Sequence, residues 1–166
     1  MNLYLLRHAE AVRREEFIRD QDRPLTSDGF KKMKISAVGM RALKMKVDLV
    51  LSSPLVRARQ TAQIAATALN VKNKITLSKN LVPDADPETS IAELTKKYSS
   101  LKNILLVGHE PQLGRLASLL LTGTADLPVI FRKGGLMGLK LDRTPCKRGA
   151  ALKWFLTGRQ MSLCQQ

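Results

Sequence analysis

Three short segments place charged or nucleophilic side chains directly after apolar runs. Arg7 and His8 follow Leu3-Tyr4-Leu5-Leu6, Ser53-Pro54-Leu55-Val56-Arg57 follows Leu49-Val50-Leu51, and Gly108-His109-Glu110 follows Ile104-Leu105-Leu106-Val107. Each run is bounded by polar residues and too short for a helix, so each reads as a buried strand. In an open α/β sheet the carboxyl ends of parallel strands face the ligand crevice, and three such ends would open on one place. Two guanidinium groups, two imidazoles and the free N–H groups of a helix beginning near Ser53 would then converge, a set suited to a phosphate dianion. Arginine can hold two phosphoryl oxygens at once, and histidine can attack phosphorus while neutral and donate hydrogen bonds while charged. For Arg7 and His8 alone, an Arg-His pair capping a strand would be the simpler reading. The two further strand ends favour chemistry.

The elements that must position these residues alternate along the chain. Residues 10 to 25 are charged and turn-rich, which predicts a mobile surface loop beside Arg7 and His8. Thr26, Ser27 and Asp28 are capping residues for a helix whose apolar face is Phe30, Met33, Ala37 and Met40. Ser53 as N-cap with Pro54 at the first helical position predicts a second helix to about Leu69, with Arg57 about one turn in. An apolar piece at 75–77 and the acidic loop 82–87 lead to a helix over 88–98. Leu113, Leu116, Ala117, Leu120 and Leu121 have the spacing of a fourth helix after Pro111, and 134–141 and 150–156 read as two final strands. This order predicts an α/β three-layer sandwich, a mostly parallel central sheet with helices on both faces. Neither a repeat nor a linker interrupts residues 1–166, so a single domain is expected.

Composition narrows the partners. With 28 basic and 14 acidic side chains the formal charge is +14, a field that concentrates anions. The cations come in separated groups, such as Lys31, Lys32 and Lys34 or Arg143, Lys147 and Arg148, as on solvated faces, and only 4% of residues are aromatic. Few platforms exist for stacking bases, so nucleic acid is not an expected partner, and an RNA- or polyanion-binding module is the remote alternative. Cys146 and Cys164 lack the spacing of a disulfide framework or a zinc site. No apolar run is long enough for a signal peptide core or a membrane span, which leads to the expectation of a cytoplasmic protein without membrane contact.

Four stretches in register carry a resemblance: Leu6-Arg7-His8-Ala9-Glu10; Arg23-Pro24-Leu25-Thr26 with Gly29; Ser53-Pro54-Leu55-Val56-Arg57-Ala58-Arg59-Gln60-Thr61; and Val107-Gly108-His109-Glu110-Pro111. Together they resemble the histidine phosphatase superfamily, and within it the short bacterial SixA-type phosphohistidine phosphatases. The resemblance implies the phosphoglycerate mutase-like fold, His8 as the nucleophile that becomes phosphorylated, and Arg7, Arg57 and His109 as the pocket that holds the phosphoryl group. Such a pocket can position the group in line and stabilise its oxygens without a metal, so neither metal nor other cofactor is expected.

The chain departs from the superfamily pattern in three places. Ala9 stands where many members have glycine. The acid found in many phosphomonoesterases has no clean counterpart. Asp84 and Asp86 lie near its place, and Glu110 is a possible acid whose other role would be to cap the helix after Pro111. Only a modest segment separates Thr61 from Gly108, too short for a lid, which predicts a shallow, open pocket. The expected function is therefore a phosphatase that removes phosphate from phosphohistidine of a phosphoprotein through a covalent intermediate. The alternative is a phosphatase of small phosphomonoesters or of phosphoserine and phosphothreonine using the same pocket. A mutase would need enclosure against water.

Overall fold

The computed structural model describes residues 1–14, 19–142 and 145–164. The strands are β1 (Asn2–Arg7), β2 (Leu49–Ser52), β3 (Ile75–Leu77), β4 (Asn103–Gly108), β5 (Leu136–Leu141) and β6 (Ala150–Leu156). The helices are α1 (Ser27–Ala42), α2 (Val56–Ala68), α3 (Pro87–Tyr98), α4 (Gln112–Thr122) and α5 (Gly158–Leu163). One six-stranded sheet runs in the order β3-β2-β4-β1-β5-β6. The β1–β4, β2–β4 and β2–β3 pairs are parallel, whereas β5 and β6 are antiparallel additions at the edge. The expected three-layer α/β fold with a mostly parallel sheet is what the chain adopts.

The central strands are apolar at nearly every position because both faces are covered. Leu3 and Leu5 of β1 and Ile104 and Leu106 of β4 pack with Leu94 of α3 and with Leu113, Leu116 and Leu120 of α4. Their alternates, Leu6, Leu105 and Val107, pack with Met33, Ala37 and Met40 of α1 and with Ala58, Ala62 and Ala65 of α2. This two-residue alternation divides one strand between two cores. Small alanines on α2 let that helix lie close to the sheet, and close packing there fixes where its first turn ends up.

Thr26 caps α1 as expected, its hydroxyl accepting the Gly29 N–H at 2.9 Å. A Cβ at Gly29 would lie 2.1 Å from the Glu10 carbonyl oxygen, so only glycine allows α1 to abut the chain after β1. Asp86 caps α3 by accepting from the Glu88 N–H, with Pro87 in the first turn.

Four expectations are corrected. α2 begins at Val56, not Pro54, its N-cap is Leu55, and Arg57 is its second residue. The Ser53 hydroxyl accepts the Leu55 N–H at 3.3 Å, outside the helix. The described parts of the segment 10–25 are tied down: Val12 and Pro24 share a backbone hydrogen bond, and Asp20–Asp22 forms a short 3-10 turn whose first residue is held by arginines. Residues 15–18 of that predicted loop, and Arg143 of the last basic group, lie outside the described residues. Glu110 makes no cap on α4, since its carboxylate accepts the Phe131 N–H at 2.7 Å instead. Finally, α5 follows β6 through a Thr157–Gln160 capping box that had not been anticipated. No described helix is long and apolar enough to cross a membrane.

Candidate active site

Parallel pairing puts three strand ends side by side. Arg7 of β1 is level with Gly108 of β4, and Ser52 of β2 with Val107. The residues that follow, His8, Ser53 and His109, therefore emerge along one edge, as the motif spacing implied. Arg57 reaches the same place from the first turn of α2.

His8 is 8% exposed and is fixed on both sides by its backbone, its N–H donating to the Gly108 carbonyl and its carbonyl accepting from Gly134. Its Nδ1 lies 2.7 Å from the Ala9 carbonyl oxygen. A carbonyl can only accept, so this contact assigns the ring proton to Nδ1 and leaves the lone pair on Nε2. Ala9 is held in turn by Thr61 of α2: its N–H donates to the Thr61 hydroxyl at 3.1 Å, which donates to the Arg57 carbonyl at 2.7 Å. The turn carrying His8 and the helix carrying Arg57 are thus one hydrogen-bonded unit.

His109 is 1% exposed, and its ring centroid is 4.8 Å from that of His8. Its Nε2 is 2.9 Å from the Ser53 hydroxyl oxygen. The same oxygen accepts the Leu55 N–H at 3.3 Å, so Ser53 ties the His109 ring to the turn before α2. Arg7 donates from Nη1 to the Phe131 carbonyl at 2.5 Å, so Phe131, whose N–H goes to Glu110, is clamped through both backbone groups.

Arg57, 3% exposed, donates from Nη1 to the Asp20 carbonyl at 2.6 Å and from Nη2 to the Asp20 carboxylate at 2.9 Å. The other carboxylate oxygen accepts from Arg23 Nε and Nη2, at 2.9 and 2.7 Å. Burial pushes the Asp20 carboxyl upward, but the hydrogen bonds from Arg57 and Arg23 outweigh it and hold the group below the usual carboxylate range. Asp20 is an internal anion in a site built of cations.

The imidazoles are pushed strongly toward neutrality. Burial, with Arg57, Arg7 and Lys133 adding to it against the hydrogen bond to Ala9, lowers His8 to about 3. Burial, then the charged forms of His8, Arg57 and Arg7, lowers His109 to about 2, with Asp20 opposing. Burial also lowers both arginines, opposed by Glu110 at Arg7 and by Asp20 at Arg57.

These groups line a cavity of about 500 Å3, together with Arg14, Lys133, Asp84 and Glu110. Four buried polar side-chain atoms have no protein partner among the described residues, and three of them are Arg7 Nε, Arg57 Nε and His109 Nδ1. Unsatisfied buried groups are rare, and their concentration here marks a ligand site. The described residues hold no cluster of three or more His, Cys, Asp or Glu side chains with which to bind a metal ion.

Residues 3–82 match the model of the histidine phosphatase superfamily (branch 1). A protein of Picosynechococcus sp. (strain ATCC 27264 / PCC 7002 / PR-6) is 33% identical over 141 residues, which cover 84% of this chain and 85% of that one. The chain belongs to the histidine phosphatase superfamily. The chain is thus of a phosphatase kind, and a named relative is phosphohistidine phosphatase SixA of Escherichia coli (strain K12), 26% identical over 87% of this chain and 88% of its own. The structure of the protein histidine phosphatase SixA complexed with tungstate superposes with a TM-score of 0.85 at 24% identity, covering 96% of this chain and 98% of that one. The histidine phosphatase superfamily fold is therefore retained across nearly the whole chain.

All four residues singled out from the motifs, Arg7, His8, Arg57 and His109, meet in this cavity, and Glu110 and Asp84 line its wall. Asp86 does not: it is spent on capping α3. Motif reading gave no role within the site to Asp20, Ser53, Thr61 or Lys133. Ser53 and Thr61 sit within the third motif, and Asp20 lies three residues before the Arg23-Pro24-Leu25-Thr26 stretch, so their place in the sequence was the only available signal.

Proposed function

We propose that this protein hydrolyses phosphohistidine on phosphoproteins by two in-line transfers through His8. The observation that carries the reading is the trio of unpartnered nitrogens, Arg7 Nε, Arg57 Nε and His109 Nδ1, around a histidine whose Nε2 is left unprotonated. In the first transfer His8 Nε2 attacks phosphorus and the bond to the substrate imidazole breaks, its electron pair returning to the leaving nitrogen. The arginines and His109 face the non-bridging oxygens, where charge must be stabilised. In the second transfer water attacks the phosphoryl group on His8, releasing phosphate. Positive charge comes from guanidinium groups, so no metal is called for.

The leaving group decides the substrate class. An alkyl phosphate departs as an alkoxide and needs an acid to protonate it as the bond breaks, whereas a phosphohistidine protonated on its other ring nitrogen departs as neutral imidazole. Glu110 has one carboxylate oxygen committed to the Phe131 N–H, and Asp84 stands exposed on the rim. We infer that neither serves as the proton donor for an alkoxide.

The test combines trapping with a substrate panel. Wild-type protein quenched during turnover of labelled phosphohistidine should carry acid-labile phosphate on His8, and His8→Ala should carry none and have no activity. Phosphohistidine should be turned over far more efficiently than phosphoserine or sugar phosphates, and Glu110→Gln should leave its turnover nearly intact. Equal efficiency on phosphoserine, with selective loss of that activity in Glu110→Gln, would overturn the substrate assignment and make Glu110 the acid.

A further inference from the structure

We propose that a second groove, beside the phosphoryl pocket, seats an acidic segment of the phosphoprotein substrate next to its phosphohistidine. This rests on the phosphoprotein reading above and adds what the flanking sequence must be. The groove, about 480 Å3, lies between α1, α5 and the turn Arg132–Gly134. Ala9 and Glu10, the two residues after His8, form its wall on the active-site side, and Lys133 lines both cavities. A chain whose phosphohistidine enters the pocket can therefore continue over this surface.

The charge around it is one-sided. Lys32, Arg132, Lys133 and Arg159 face the groove against Glu10 alone. Glu10 lies 4.0 Å from Lys32 Nζ and 3.8 Å from Lys133 Nζ, and Lys32 is also paired with Asp28 at 2.5 Å. Arg132 and Arg159 are exposed and have no acidic partner among the described residues. Guanidinium groups lining a groove are suited to carboxylates, which they can bind in a bidentate fashion. The floor is small or apolar, with Gly29, Met33, Ser36, Gly134 and Gly158, and no aromatic ring lines it for a base to stack on. An extended peptide with Asp or Glu side chains fits this chemistry better than a polynucleotide does.

The test uses short peptides phosphorylated on one central histidine and flanked by acidic, neutral or basic residues, together with free phosphohistidine. Wild type should favour the acidic peptide through KM. R132E/R159E should lose about tenfold on that peptide, as two partly exposed ion pairs allow, and retain its rate on free phosphohistidine. K72E/K74E, with the same change in charge at exposed positions before β3, should keep the preference. Equal losses in both double variants would mean that only the diffuse positive field acts and would overturn the groove. So would indifference of the wild type to flanking charge, or an oligodeoxythymidine binding with the same dependence on Arg132 and Arg159. If wild type cleaves an aryl phosphate but not free phosphohistidine, the assignment of the reaction fails on its own. Fluorescence anisotropy of a labelled, unphosphorylated acidic peptide on the same three proteins then decides the groove.

Discussion

Lowering the pH from 7 to 5 should destabilise this protein by about 4 kcal/mol, nearly all of it through the two site histidines. They are the only histidines in the chain, and both are held neutral, His8 at about 3 and His109 at about 2. In the unfolded chain each would protonate near 6.5. The unfolded state therefore binds more protons below that value, and stability falls as pH falls, by about 1.4 kcal/mol per unit for each group until the folded value is reached. Between pH 6.5 and 5 that comes to roughly 2 kcal/mol per histidine, a large part of the 5 to 15 kcal/mol typical of a domain. Asp20 and Glu93, both held below their usual range, lose their contribution only at more acidic pH, and the Met1 amine, lowered by burial, has its window nearer pH 8. Urea unfolding at pH 7 and pH 5 reads the difference through the fluorescence of Trp154, the single tryptophan, stacked on Tyr4 at 5.9 Å. His109→Gln should remove about half of the pH dependence whatever it does to stability at pH 7. A loss below about 1 kcal/mol in the wild type, or an unchanged slope in His109→Gln, would refute the claim that burial among cations keeps these rings neutral.

Three further outcomes are expected. Arg57→Ala and His109→Ala should each lower the catalytic constant by about two orders of magnitude with the fold retained, because a preorganised donor to a developing oxyanion contributes ~3 kcal/mol; a change within about threefold would mean the pocket is misassigned. Asp20→Asn keeps the backbone carbonyl for Arg57 Nη1 and one amide oxygen for Arg23 but removes the internal charge and the second carboxylate acceptor, so inhibition by tungstate or vanadate should tighten by roughly tenfold, and weaker inhibition would show that the carboxylate aligns Arg57 instead. Gly29→Ala forces a methyl group against the Glu10 backbone and should destabilise by about 1 to 3 kcal/mol, visible as a lower Tm and absent if α1 can shift without loss.

The parts of this architecture that follow local rules were readable from the chain alone. The central strands appear as uninterrupted apolar runs because both faces are covered, and the helices of α1 and α4 appear through their apolar spacing. Arg7, His8, Arg57 and His109 could be grouped because each stands at or just after a strand end in a parallel sheet. What could not be read depends on distant parts of the chain. Ser53 looks like a helix cap, and it is His109, 56 residues away, that gives its hydroxyl another partner. Asp20 sits in a charged segment indistinguishable from a solvated loop until Arg57, 37 residues on, folds against it. Glu110 had a local role available and a non-local one at Phe131, and the latter prevailed.

The position of β1 in the sheet has a consequence for how the site comes into being. Its hydrogen-bonding neighbours are β4 and β5, so Asn2 faces Asn103 on one side and Lys140 on the other. Pairings this remote close very long loops, and such contacts form late and slowly. During synthesis Arg7 and His8 are made well before β4, so their strand has no partner until Asn103–Gly108 has been made, and that same strand delivers His109. The candidate nucleophile and its neighbouring imidazole are thus brought together in one docking event, and a nascent chain ending at α3 holds His8 without the strand that would aim it.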